Sequence, residues 1–165
     1  MIALKITEVK EFMNHLLMMD TFDRFSLVSA EVVRDYSVSM DGRISDRFYS
    51  EEEREILGLK GERFQKYSQM RPLIHTHIKG KRAPLCIKMT LAMSKAVAFD
   101  NMKGSPDKDS NIEDFLLNIR FDPRGLVLTC GVSYASFAPE KNTEMLWDEF
   151  ITSFLQSQGI AFEKV

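Results

Sequence analysis

The chain has few cysteines and no long apolar run, and each shortage excludes a class of protein. Its 165 residues include only Cys86 and Cys130, with no CxxC pair, so a disulfide framework is not expected. No apolar run approaches the ~20 residues of a membrane span. The first 17 residues carry scattered charges and no apolar core followed by a cleavage site, which argues against a signal peptide. These features predict a cytoplasmic protein that does not enter a membrane.

Motifs of common catalytic sites are also lacking. The sequence has no GxSxG, Walker, GxGxxG or HExxH pattern. Cys130 falls on the apolar face of a predicted strand, which suggests an inert core thiol, and the more accessible Cys86 has no neighbour that would activate it. An enzyme is therefore not favoured and no cofactor is implied, although an active site can assemble from residues far apart in sequence.

The size and charge of the chain further limit the classes of protein to which it can belong. A chain of 165 residues with 44% hydrophobic and 28% charged residues fits one globular domain over 1–165. The net charge of −2 argues against a protein whose main partner is nucleic acid, without excluding one. A local basic patch remains compatible with this charge.

Two helices near the N-terminal end are predicted from capping residues. Thr7 is a candidate N-cap for a helix whose apolar residues recur at helical spacing. Ser50 and Glu53 form a capping box at the start of a second helix, which is expected to stop near Gly58.

Three later segments also have helical patterns. One covers about 64–78, where Pro72 is expected to kink or divide the helix. A short helix is predicted over 94–102 and a final one over 142–158. Residues 159–160 are suited to close the final helix in a Schellman motif.

Alternating apolar residues predict an antiparallel sheet. Residues 85–93 form one half-buried strand. An Asp41-Gly42 turn is expected to join the strand before it to a short return strand near 43–49. In residues 115–134 a four-residue loop pairs Phe121 with Leu126 and brings every apolar side chain to one face. The resulting fold class is α+β, two-layer, with a sheet of about five strands packed by four or five helices.

His75 and His77 are the residues that most resemble a metal site. In a helix they would point about 200° apart, whereas in a strand they would share a face. Residues 73–79 favour a helix, because Lys79, Gly80 and Pro84 form a helix-stop signature. Two histidines also fall short of a zinc site, so no metal is expected, but a metal-assisted enzyme using them remains an alternative.

The segment 79–88 holds the densest positive charge. Lys79, Lys81, Arg82 and Lys88 are candidates for binding an anionic ligand or protein partner. The simpler interpretation is that cations near a helix C-terminus oppose its negative end, at roughly 0.3–1 kcal/mol each.

Two other polar segments of the sequence are candidate sites. Residues 107–114 resemble the start of a calcium-binding loop. However, Ile112 stands where the loop needs a glycine for its tight turn, and Asn118 stands where it needs a bidentate glutamate. A turn or capping box with Ser110 and Glu113 therefore fits this segment better. The polar face of the last hairpin could line a shallow site, although such faces are commonly only solvated. Its members are Asn118, Arg120, Thr129 and Ser133.

Several stretches resemble a family of small conserved hypothetical proteins from clostridial Firmicutes, a domain of unknown function. They are ALKITEVKEFMNHLL, IKGKRAPLCIKM, LLNIRFD and WDEFITSFLQSQGIAFE. The resemblance implies a bacterial, cytoplasmic, single-domain protein and no particular mechanism. The leading hypothesis is a non-enzymatic binding or accessory protein, and a homo-oligomeric structural protein is a further alternative.

Overall fold

A computed structural model of the protein describes residues 1–103, 111–136 and 141–165. The strands are β1 Ala3–Ile6, β2 Ser26–Val33, β3 Ser37–Asp41, β4 Gln65–Lys66, β5 Cys86–Ser94, β6 Ile112–Asp122, β7 Gly125–Tyr134 and β8 Phe162–Lys164. The helices are α1 Val9–Leu17, α2 Glu51–Ile56, α3 Tyr67–Ile78, α4 Lys95–Asn101 and α5 Lys141–Ser157. No helix in the described part of the chain is long and apolar enough to cross a bilayer.

The eight strands of the described residues belong to one antiparallel sheet, which confirms the mixed α/β class but corrects the strand count. The order is β3-β2-β5-β6-β7-β1-β8, and β4 pairs with β2 beside this path. The sequence predicted about five strands because β1, β4 and β8 are only four, two and three residues long. Strands this short have too few alternating positions to show a pattern.

The β6–β7 hairpin forms with the predicted register. Phe121 lies opposite Leu126, and Leu117 lies opposite Cys130. Side chains on these strands point alternately to the two faces of the sheet, so the apolar positions all meet the core. The chain turns through residues 123–124 between the paired Asp122 and Gly125.

The predicted Asp41-Gly42 hairpin turn is wrong, and the return strand expected near 43–49 contributes only an isolated bridge between Arg43 and Phe64. The hairpin joins β2 to β3 through residues 34–36, and Gly42 instead follows β3, donating its N–H to the carbonyl of Val28 at 2.9 Å. A Cβ atom at Gly42 would lie 1.8 Å from the carbonyl oxygen of Leu27. Glycine is thus required here for close backbone contact, and a DG pair alone does not distinguish that role from a turn.

The helix predictions are mostly confirmed. The Ser50–Glu53 capping box is present, and α4 begins after Ser94, whose hydroxyl accepts from the Val97 N–H. Helix α1 begins at Val9 after Glu8, so Thr7 is not its N-cap. Helix α3 begins at Tyr67 and continues without a break through its internal proline at position 72.

The end of α5 closes as the sequence predicted. Gly159 has a φ of 71°, which is the left-handed conformation that glycine adopts easily. The Ile160 N–H donates to the Leu155 carbonyl and the Gly159 N–H to the Gln156 carbonyl, both at 3.0 Å. These are the two bonds of a Schellman motif.

Helices cover one face of the sheet. Phe12 of α1, Ile74 of α3 and Trp147 of α5 are fully buried with the inward residues of the strands. Helix α2 buries no residue. The opposite face of the central strands carries polar side chains, and the candidate site lies there.

Candidate functional site

The uncovered face of the sheet holds a groove with a volume of about 900 Å³. We call it the open-face groove. Its floor is made by the outward residues of β2, β5, β6, β7 and β1, because alternate residues of a strand point to opposite faces. Side chains from residues far apart in sequence are therefore brought into two rows that cross the strands.

The first row is charged. Glu31 of β2 lies opposite Lys88 of β5, which lies opposite Arg120 of β6. Val127 of β7 continues the row to Lys5 of β1. Directly opposite residues in an antiparallel sheet are roughly 5 Å apart, so Lys88 and Arg120 can contact a single anionic group together.

The second row carries hydroxyl and amide groups. It contains Ser29, Thr90, Asn118 and Thr129 on four successive strands. The Thr90 hydroxyl donates to the amide oxygen of Asn118 at 2.9 Å. The amide nitrogen of Asn118 is therefore the part of that side chain that can donate to a ligand.

Asp122 closes one end of the groove between two arginines. Its carboxylate accepts from the Arg124 backbone N–H at 2.8 Å and from Arg124 Nη2 at 2.9 Å, and Arg120 Nε lies 3.4 Å away. The hydrogen bonds from the Arg124 side chain and backbone lower the pKa of Asp122. The carboxylate is consequently ionised at neutral pH and draws two of the groove's cations toward itself.

The charge of the groove is positive overall. Four basic residues line it (Lys5, Lys88, Arg120 and Arg124) against two acidic ones, Glu31 and Asp122. Within the described ranges, no ion pair of 4.0 Å or less involves Lys5 or Lys88. These two ammonium groups are the most available cations of the groove.

The four basic residues singled out in the sequence do not form one patch. Lys88 lies in the open-face groove, whereas Lys79, Lys81 and Arg82 lie in the loop that follows α3. We call this second set the basic loop. Lys81 and Arg82 line a separate depression with Arg34, Asp35 and Leu85.

The C-terminus of α3 is neutralised mainly by Arg34, which the sequence did not indicate. Its guanidinium Nη1 donates to the carbonyls of His77, Ile78 and Lys79, at 3.1, 3.1 and 2.9 Å. A cation at this end opposes the helix dipole, as proposed for the loop lysines, but it arrives from the β2–β3 turn. Such a contact across 43 to 45 positions leaves no local pattern in the sequence.

His75 and His77 both lie in α3, which confirms the helix over most of 73–79. Residues two apart in a helix point about 200° away from each other, so these rings cannot share an ion. The His77 ring nitrogen Nδ1 is instead 3.1 Å from the Tyr36 hydroxyl. Among the residues whose placement is described, no three His, Cys, Asp or Glu residues are grouped to hold a metal.

Cys130 is the buried core thiol that the alternation predicted, while Cys86 is half-buried. Burial raises the pKa of Cys130 to about 12, so its thiol is protonated at physiological pH. Of the segment that resembled a calcium loop, residues 107–110 lie outside the described residues. Glu113, which was assigned to a turn or capping box with Ser110, lies in β6.

Three of the four polar residues noted on the last hairpin line the groove. Asn118, Arg120 and Thr129 do so, but Ser133 lies beyond it and donates to Glu113 at 3.3 Å. Lys5 and Glu31 were missed as site residues. Their place in the groove depends on the lateral order of the strands, which is set by tertiary contacts rather than by neighbouring residues.

Comparison with known proteins identifies a family but no activity. No curated protein and no solved structure matches the chain significantly. A family of unknown function, DUF5721, matches residues 15–163, which is nearly the full length and includes every strand except β1 and the last residue of β8. The chain therefore belongs to the DUF5721 family, whose function is unknown.

Proposed function

We propose that the protein is a non-enzymatic binding protein, a single two-layer domain over 1–165, that holds a small anionic ligand in the open-face groove. The observation that carries this proposal is the row in which Lys88 and Arg120 stand directly opposite each other on neighbouring strands. Two cations at this spacing match the oxygens of one carboxylate or phosphate.

The charge balance supports an anion over other ligands. The groove has two more basic than acidic residues, whereas the whole chain has a net charge of −2. A local positive field in a mildly acidic protein attracts anions to this one face.

The second row supports a small polar ligand. The second row lies two residues along the strands from the two cations, and it contributes the hydroxyl and amide groups of Thr90, Asn118 and Thr129. A ligand with an acidic group over Lys88 and Arg120 can direct its other polar groups to this row. The side chains that stack nucleic-acid bases are aromatic, and none is found among the described residues that line the groove.

The cytoplasm is the compartment we propose. Cys86 and Cys130 are both free thiols, and Cys130 is enclosed in the core, where it has no partner to form a disulfide. A reducing compartment suits such a chain.

The test compares the two basic surfaces by titration with citrate and with inorganic phosphate. The groove variant carries Lys88→Ala and Arg120→Ala, and the matched control carries Lys79→Ala, Lys81→Ala and Arg82→Ala in the basic loop. We expect the groove variant to bind at least ten-fold more weakly, since each hydrogen bond to a charged group contributes roughly 1.5–3 kcal/mol. Isothermal titration calorimetry at two salt concentrations measures the affinity.

The two variants separate the possible outcomes. Affinity that falls only in the loop variant would move the site to Lys79, Lys81 and Arg82. Binding of neither probe by the wild-type protein, or equal binding by wild type and groove variant, would contradict an anion site in the groove.

A further inference from the structure

Strand β3 is an edge of the sheet whose outer side is not paired within the described chain. It lies at one end of the strand order, and its one partner among the described strands is β2. The Tyr36 carbonyl accepts from the Arg34 N–H across the turn, and the Gly42 N–H donates to the Val28 carbonyl. The even-numbered residues of β3 therefore direct their backbone N–H and C=O groups toward β2. By the alternation of antiparallel strands, Ser37, Ser39 and Asp41 direct their N–H and C=O groups outward.

Side chains on the helix side of this edge are only partly covered. Val38 and Met40 pack against the core but are half-buried. A further strand beside β3 would complete their burial. An edge with free backbone groups and half-covered apolar side chains is suited to pair with another strand.

The end of β3 near Asp41 leads into a segment that contains the acidic helix α2 and exposed apolar side chains. The isolated bridge between Arg43 and Phe64 closes the base of this segment. Phe48 is 76% exposed and Ile56 is 84% exposed, so the segment presents large apolar side chains to the solvent. Helix α2, within the segment, has four glutamates against one arginine.

The other end of β3 lies beside the basic loop. Leu85, which is 61% exposed, donates its N–H to the carbonyl of Val33, the residue paired with Ser37. Lys81 and Arg82 line the same depression as Leu85 and Arg34. One end of the edge strand therefore leads to the acidic helix α2 and the other lies near the basic loop, and exposed apolar side chains are found at both ends.

We propose that the protein forms a two-fold symmetric dimer in which β3 of one copy pairs antiparallel with β3 of a second copy, centred on Ser39. An antiparallel pair places opposite ends of the two strands together, so the acidic helix α2 of each copy meets the basic loop of the other. A second copy of this chain is the occupant that fits, because it supplies both charges in the required places. This inference is independent of the proposed ligand, since the groove lies on the face of the sheet and the contact on its edge.

The dimer also has a consequence for the open face. Ser39 lines the groove at the β3 side. Pairing at this edge joins the open faces of the two copies into one continuous antiparallel sheet.

Multi-angle light scattering of Ser39→Pro tests the contact. Proline removes the outward N–H of Ser39 and blocks pairing, but it is tolerated on the outer side of an edge strand. We expect wild-type protein at about 100 µM to have twice the 19.0 kDa chain mass and the variant to have the single-chain mass. Ser39→Ala, which keeps the N–H, is the matched control and should remain dimeric.

Charge reversal provides a test that does not depend on whether the Ser39→Pro variant folds correctly. Glu51→Lys with Glu52→Lys, and separately Lys81→Glu with Arg82→Glu, should each weaken the dimer at least ten-fold. The four changes together should restore it, because the charges again complement each other. A wild-type monomer at every concentration, a dimer unchanged in folded Ser39→Pro, or reversals without effect would each overturn the proposal.

Discussion

Replacing Trp147 with alanine should lower the free energy of unfolding by about 4 kcal/mol, the range found for large aromatic residues removed from a core. Trp147 is fully buried, and its ring centroid lies 5.1 Å from that of Phe115 and 5.4 Å from that of Phe150. Its indole N–H donates to the Leu116 carbonyl at 2.9 Å, so the side chain fastens α5 to β6. Urea denaturation followed by circular dichroism measures the loss.

The control for Trp147→Ala is on the same helix. Met145 is 60% exposed, and Met145→Ala should change the free energy of unfolding by less than about 0.5 kcal/mol. A loss below about 2 kcal/mol for the tryptophan variant would mean that α5 does not pack on the sheet through this residue.

Gly42→Ala should destabilise the protein by about 3 kcal/mol, at the upper end of typical overpacking. The added methyl would lie 1.8 Å from the Leu27 carbonyl oxygen, which is backbone and cannot rotate away. The register of β2 against β5 shifts at this point, between Leu27 and Ser29, so any accommodation must move a central strand pair. The same denaturation experiment measures the effect.

Gly131→Ala is the matched control for this glycine. Gly131 also lies in the sheet, but the nearest atom to its added Cβ would be 3.8 Å away, an ordinary contact. We expect a change within about 0.5 kcal/mol at this position. Equal effects at the two glycines would contradict the close approach of Gly42 to β2.

The sequence predicted best those parts of the fold in which the pattern of neighbouring residues is compatible with a single local structure. In the β6–β7 hairpin, a shift of one residue would turn Leu117 and Ile119 to the wrong face, so the register followed from alternation alone. The Schellman closure at Gly159 and the capping box at Ser50 are likewise complete within a few residues.

Features that depend on distant contacts escaped prediction. Asp41-Gly42 has the sequence of a turn, but its glycine is required by a neighbouring strand that local sequence does not reveal. The groove was only partly foreseen for the same reason. Alternation showed that Asn118, Arg120 and Thr129 share a face, but not that β1 would pair with β7 and bring Lys5 into their row.

The reactivity of two neighbouring thiols tests most directly whether the sheet is covered on one face and open on the other. Cys130 points into the core, and the pKa of its thiol is raised to about 12, whereas the adjacent Thr129 lines the groove. In a Cys86→Ser background, the Thr129→Cys thiol should react with a disulfide reagent at pH 8 on the order of a thousand-fold faster than Cys130, since a thiol that solvent can reach has a pKa of about 8.5. Similar rates for the two positions would contradict the account.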